Sequence, residues 1–154
     1  MDRSPVLRRL DALIGEWEMQ AVINGQTVAG ARMLFEWIED GAFVAQRAYP
    51  GPPLPNLPTA WAENSPLPTT VLIGLDDTAE TFTMLYSDAR GVLRVYAMTL
   101  ADNLWTMHRA AVNFHQRFTA TLSENGKTIA GRWEGSADGT AWDLDFEVTY
   151  SKIG

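Results

Sequence analysis

Residues 117–136, Arg117-Phe118-Thr119-Ala120-Thr121-Leu122-Ser123-Glu124-Asn125-Gly126-Lys127-Thr128-Ile129-Ala130-Gly131-Arg132-Trp133-Glu134-Gly135-Ser136, alternate apolar and polar side chains on both sides of Asn125-Gly126. Alternation with a period of two marks a strand with one buried face, and Asn-Gly supplies the positive φ angles that a tight hairpin needs. Folding the chain there sets Leu122 opposite Ile129, Ala120 opposite Gly131 and Phe118 opposite Trp133. The opposite face then pairs Arg117 with Glu134, a charge match suited to a wet surface. A second turn at Asp138-Gly139 sets Trp133 opposite Leu144, Gly131 opposite Phe146, Gly135 opposite Trp142 and Arg132 opposite Asp145. Both turns put the apolar side chains on one face, and such agreement fixes register.

The same logic extends upstream. A turn of two or four residues around 110–113 puts Trp105, Met107, Arg109, Phe114 and Gln116 on the inner face. A turn of equal parity at 101–104 adds Tyr96, Met98 and Leu100, with Tyr96 opposite Arg109. A three-residue turn ending in Gly91 brings in Phe82, Met84, Tyr86 and Arg94. In all, strand-like runs occur near 16–23, 27–38, 42–49, 70–76, 80–87, 92–100, 104–110, 113–123, 127–136 and 140–151. Asn24-Gly25, Asp40-Gly41 and Arg90-Gly91 provide further turn chemistry. Nothing after residue 15 reads as a crossover helix, so the pairing is antiparallel. Ten sequential strands are expected to close on themselves, because closure removes exposed edges. The fold class read from this pattern is all-β, a single-domain, ten-stranded antiparallel up-and-down barrel over residues 1–154.

Residues 4–14 read as a short helix. Ser4 is a candidate cap, Pro5 sits at the first helical position, Val6, Leu7, Leu10, Leu13 and Ile14 share a face, and Gly15 stops it. A helix so short must rest on the barrel. Residues 50–68 hold seven of the eight prolines together with Leu54, Leu57 and Trp61. A loop of this length is expected to be a lid over one barrel mouth.

Composition bounds the function. The chain has 154 residues, 46% of them hydrophobic, and no cysteine, which excludes disulfides, thiolate nucleophiles and cysteine-bound metal. The formal charge of −7 opposes binding to a nucleic-acid backbone. No apolar run is long enough for a membrane helix, and no secretory leader is read at the N-terminus, so a cytoplasmic location is expected. No metalloprotease, nucleophile-elbow, P-loop or dinucleotide signature is present.

The inferred interior is large and apolar: Trp17, Met33, Phe35, Trp37, Phe82, Met84, Met98, Trp105, Phe118, Trp133, Trp142 and Phe146. Against it stand Arg47, Tyr86, Arg94, Tyr96, Arg109, Gln116 and Tyr150. Three buried guanidiniums without internal carboxylates point to an anionic partner. The competing reading places them at the rims or stacked on aromatics such as Trp105. His108 and His115 become cross-strand partners pointing outward, and no metal site is expected from them. Asp76-Asp77 and Asp143/Asp145 read as solvated acids.

Gly15-Glu16-Trp17 after a short helix resembles the Gly-x-Trp opening of lipocalin-like (calycin) barrels. The ten-strand count resembles the branch that contains fatty-acid-binding proteins and nitrobindins. Over about residues 70–151, the run Tyr86-Ser87-Asp88-Ala89-Arg90-Gly91-Val92-Leu93-Arg94-Val95-Tyr96 resembles a bacterial family of uncharacterised lipocalin-like proteins. So do Trp105 to Arg109, Phe114-His115-Gln116-Arg117-Phe118, Gly131-Arg132-Trp133-Glu134 and Trp142-Asp143-Leu144-Asp145-Phe146. That resemblance implies a barrel and assigns no reaction. Nitrobindins carry a longer Gly-rich opening and a histidine haem ligand near the last strands. Here Glu18 and Met19 follow Trp17, and the last histidine is His115. Fatty-acid-binding proteins hold a carboxylate with an internal arginine and tyrosine, a role that Arg109 and Tyr96 match by analogy.

The expected function is therefore binding of a small hydrophobic molecule with an acidic or carbonyl end. Arg109, Tyr96, Gln116, Tyr86, Arg94, Arg47, Trp105 and Trp133 are the binding candidates, with no cofactor required. The first alternative is a cofactor-free isomerase, cyclase or lyase using Tyr96 or Tyr86 as general acid, and the second is haem binding. The expected partners are a small molecule and a possible second copy of the chain, with neither nucleic acid nor membrane insertion.

Overall fold

The computed structural model describes residues 4–51 and 65–154. Ten strands run in chain order: β1 (Gly15–Ile23), β2 (Gln26–Ile38), β3 (Phe43–Pro50), β4 (Thr69–Asp76), β5 (Thr81–Asp88), β6 (Leu93–Ala101), β7 (Leu104–Arg109), β8 (His115–Leu122), β9 (Thr128–Ser136) and β10 (Asp143–Lys152). Each pairs antiparallel with the next, and β1 pairs with β10 from Trp17↔Lys152 to Val22↔Glu147, closing an up-and-down barrel. Closure leaves no strand edge for another chain to template.

Turn chemistry sets most registers as the residue types predict. Ile23 faces Gln26 across Asn24-Gly25, whose φ angles are 51° and 78°, and Ala101 faces Leu104 across Asp102-Asn103 at 53° and 61°. Both are the primed geometry that matches strand twist. The three-residue turn 89–91 ends in Gly91 at φ 80°, giving Tyr86↔Arg94 and Met84↔Tyr96. Around Asn125-Gly126 the connection is four residues wide, because Ser123 N–H reaches the Thr128 carbonyl at 2.9 Å. Its parity is unchanged, so Leu122↔Ile129, Ala120↔Gly131 and Phe118↔Trp133 all form.

Two registers differ from expectation. The Asp138-Gly139 connection spans the six residues between Ser136 and Asp143, because Asp138 Oδ1 accepts the N–H groups of Thr140 and Ala141 and holds a wider loop. A β-bulge between Leu144 and Phe146 then inserts Asp145, so Trp133 faces Phe146, Gly131 faces Val148 and Arg132 faces Glu147. A bulge re-aims the side chains beside it. Leu144 turns outward at 54% exposure, and Trp142 lies outside beneath the Arg117 guanidinium at 4.1 Å. The β7–β8 connection is also longer than two or four residues: Arg109 pairs with Gln116 and His108 with Arg117. His108 and His115 are therefore not partners; His115 lies against the Gly139 turn instead.

The N-terminal helix is 3-10, Leu7–Leu13, shorter than the expected 4–14. Ser4 Oγ accepts the Val6 N–H at 3.2 Å and its carbonyl accepts the Arg8 N–H at 3.1 Å, so Ser4 organises the entering turn. Leu7, Leu10 and Leu13 are buried, and a spacing of three aligns side chains on one face at three residues per turn. They plug one end of the barrel. There Trp17 Nε1 donates to the Leu13 carbonyl at 2.9 Å and Trp37 Nε1 donates to Asp11 Oδ1 at 3.0 Å. Trp17, Phe82, Met98 and Ile129 are almost wholly buried around the plug. Among the described residues, no helix is long and apolar enough to cross a membrane.

Candidate ligand cavity

Above the plug, Trp105 and Phe35 meet edge to face with ring centroids 6.4 Å apart. Their strands, β7 and β2, stand five places apart in a ring of ten, so the two rings bridge the bore and form a floor. Phe118 supports Trp105 from β8 at 4.9 Å. From this floor a cavity of about 450 Å³ runs to the opposite barrel end, within the size range of small-molecule sites. Its walls are mostly apolar: Met19, Met33, Val71, Met84, Met107, Trp133, Phe146 and Val148. Methionine is well suited to lining an adaptable pocket, since its side chain is flexible and polarisable. Pro66 and Leu67 border the mouth, where the Pro66 carbonyl accepts the Ala89 N–H at 3.2 Å. Leu54, Leu57 and Trp61, the apolar residues of the expected lid, lie outside the described residues.

Polar groups gather at the mouth. Tyr86 donates to Asp88 Oδ2 at 2.8 Å, and Arg90 clasps the same carboxylate with Nη2 at 2.7 Å and Nε at 3.2 Å. Burial raises the Asp88 pKa, but these hydrogen bonds outweigh it and bring the group to about 2. Arg90 is thus neutralised locally. Arg94, one strand over, has no carboxylate within ion-pair distance among the described residues and lies over the Phe114 ring at 5.3 Å. Tyr96 donates to Gln116 Oε1 at 3.0 Å; burial pushes its phenol up, against the pull of Arg94. Gln46 Oε1 accepts from Thr69 Oγ1 at 3.2 Å on the far wall. Burial also raises the Tyr86 and Tyr150 phenols well above their ordinary value.

Among the eight binding candidates, Tyr86, Arg94, Tyr96, Trp105 and Trp133 line the cavity. Gln116 is buried behind Tyr96 and holds its hydroxyl. Arg109 lies at the rim, with Nη1 donating to the Phe114 carbonyl at 3.4 Å. Arg47 is exposed on the outer wall, because Val44, Gln46 and Ala48 take the inward positions of β3. Phe43 and Tyr49 share its parity and are exposed with it. Phe114, expected inside, is 41% exposed.

Three features escaped the sequence reading. Asp145 borders the cavity, placed there by the bulge, and desolvation raises its carboxyl pKa. A carboxylate therefore borders the cavity from an exposed position at the mouth, where none was expected. Arg90 read only as a turn residue, and Gln46 lost its place to Arg47. No histidine borders the cavity among the described residues, and no cluster of three metal-ligating side chains occurs there.

Fold and cavity together define a closed ten-stranded antiparallel barrel, plugged at one end, with an internal apolar cavity and a polar mouth. No family model matches the chain, and no curated protein does either. Among solved structures it is similar to Rv2717c from M. tuberculosis, with a TM-score of 0.60 and 11% identity over 99% of this chain and 100% of that one. At that identity the likeness is one of fold.

Proposed function

We propose that this protein is a lipocalin-like barrel that binds a small, largely hydrophobic molecule by an acidic or carbonyl end. The observation that carries the reading is a cavity of about 450 Å³ with apolar walls and an Arg94 guanidinium at its mouth that no described carboxylate neutralises. The walls supply affinity through apolar burial, at roughly 25 cal/mol per Å². Arg94 orients the polar end, with the Tyr96 ring held beside it by Gln116, and the Asp88-bound Arg90 frames it. Calorimetric titration with decanoate, with decanol as the uncharged control, tests this. Decanoate is expected to bind the wild type, and Arg94→Gln to weaken it about tenfold while leaving decanol unchanged. Binding of neither ligand would overturn the proposal.

A second reading, cofactor-free proton transfer on a hydrophobic substrate, draws on Asp145, a carboxyl whose pKa is raised beside the cavity. It stands behind the first because Tyr86, Tyr96 and Tyr150 are all shifted upward and are poor proton donors near neutral pH.

A further inference from the structure

At the cavity floor, one side-chain donor is buried without a partner, and a second beside it opens on the cavity without one. Tyr150 is 6% exposed and borders the cavity, and no acceptor for its hydroxyl is found among the described residues. Trp105, whose ring lies 5.9 Å from that of Tyr150, leaves Nε1 buried and without a partner. Elsewhere the molecule satisfies such groups: Trp17 Nε1 has the Leu13 carbonyl, Trp37 Nε1 has Asp11, Tyr96 has Gln116 and Tyr86 has Asp88. Buried donors are paired as a rule, and an exception inside a cavity marks where a missing acceptor belongs.

We propose that the floor takes an uncharged hydrogen-bond acceptor of the ligand, a ketone, ester or ether oxygen, which accepts from the Tyr150 hydroxyl. The inference rests on reading the cavity as a ligand site and makes its occupant two-ended, with an anion at Arg94 and a neutral oxygen near the floor. Tyr150 lies four residues beyond Phe146 on β10, and Phe146 pairs with Trp133, whose ring touches Tyr96 at 5.5 Å. Four extended residues place the two polar levels about 13 Å apart. A second carboxylate is unsuited to the floor, where Tyr150 pairs with Met19 on β1 and lies against the Trp105 ring, while Arg90 and Arg94, the cations that border the cavity, stand at the mouth. Burial also keeps the phenol protonated, and so a donor.

The test compares decanoic acid with 9-oxodecanoic acid, chains of equal length that differ by one carbonyl near the far end. Calorimetry on the wild type is expected to give about fivefold or greater preference for the keto acid. Tyr150→Phe is expected to remove that preference by weakening the keto acid toward the affinity of decanoate. Equal binding of the two acids by the wild type would overturn the proposal, and that comparison requires no variant to fold. A preference that survives in Tyr150→Phe would overturn the role of Tyr150. If neither acid binds, the cavity reading itself falls, a result distinct from equal binding.

Discussion

Asp88 ties Tyr86 and Arg90 to one carboxylate at the mouth, and its removal has a calculable effect. Its side chain is closed to solvent, and it accepts hydrogen bonds from Tyr86, from the Arg90 guanidinium and from the Arg90 backbone N–H at 2.9 Å. Burial alone would raise its pKa; the hydrogen bonds lower it from 3.8 to about 2. That difference corresponds to about 2 kcal/mol of folding stability. Because the folded-state value is depressed, the contribution is fully present above about pH 4 and is lost as the pH falls through about 2. Asp88→Asn should therefore lower the urea-unfolding free energy by about 2 kcal/mol at pH 7. The gap from wild type should close as both proteins are carried from pH 4 toward pH 2. Unfolding followed by tryptophan fluorescence at several pH values measures it. A gap of equal size at pH 3 and pH 7 would show that packing, not charge, is responsible, and would refute the assignment.

Three further outcomes follow from the geometry. A Cβ at Gly131 would stand 2.6 Å from Ala120 Cβ and 2.9 Å from the Thr119 carbonyl, so Gly131→Ala should destabilise the barrel by about 1–3 kcal/mol in chemical denaturation. Trp105→Ala removes the floor and should cost about 3–5 kcal/mol; its crystal structure should show the cavity extended toward Leu10 and Leu13. Asp145 repels an anion at the mouth once ionised, so Asp145→Asn should tighten binding of decanesulfonate at pH 7. That advantage should shrink as the pH falls toward the ordinary carboxylate range, where wild-type Asp145 is itself protonated.

The barrel was legible because turn residues and strand periodicity speak independently and agree. Asn125-Gly126, the turns near 110–113 and 101–104, and Gly91 each fix a parity that the apolar positions repeat, and that parity directs Tyr86, Arg94, Tyr96, Trp105 and Trp133 inward. What failed was local and cumulative. A single extra residue at the β10 bulge moved Leu144 out and brought Asp145 to the cavity, and nothing in the composition of residues 143–146 signals a bulge. A longer β7–β8 connection separated His108 from His115. On β3 the two faces have similar hydrophobicity, with Phe43 and Tyr49 outward and Val44 and Ala48 inward, so periodicity could not choose between Arg47 and Gln46. The 3-10 form of the N-terminal helix was present in the sequence as the triad Leu7, Leu10, Leu13, which suits three residues per turn as well as 3.6.

Methyl-labelled methionine NMR offers the most direct test of binding inside the barrel. Met19, Met33, Met84 and Met107 border the cavity, whereas Met98 is fully buried beside the plug and does not. Titration with decanoate should shift the first four methyl resonances with one common dissociation constant and leave Met98 in place. Decanoate that binds without moving those four would locate the ligand elsewhere and contradict a function carried by the cavity.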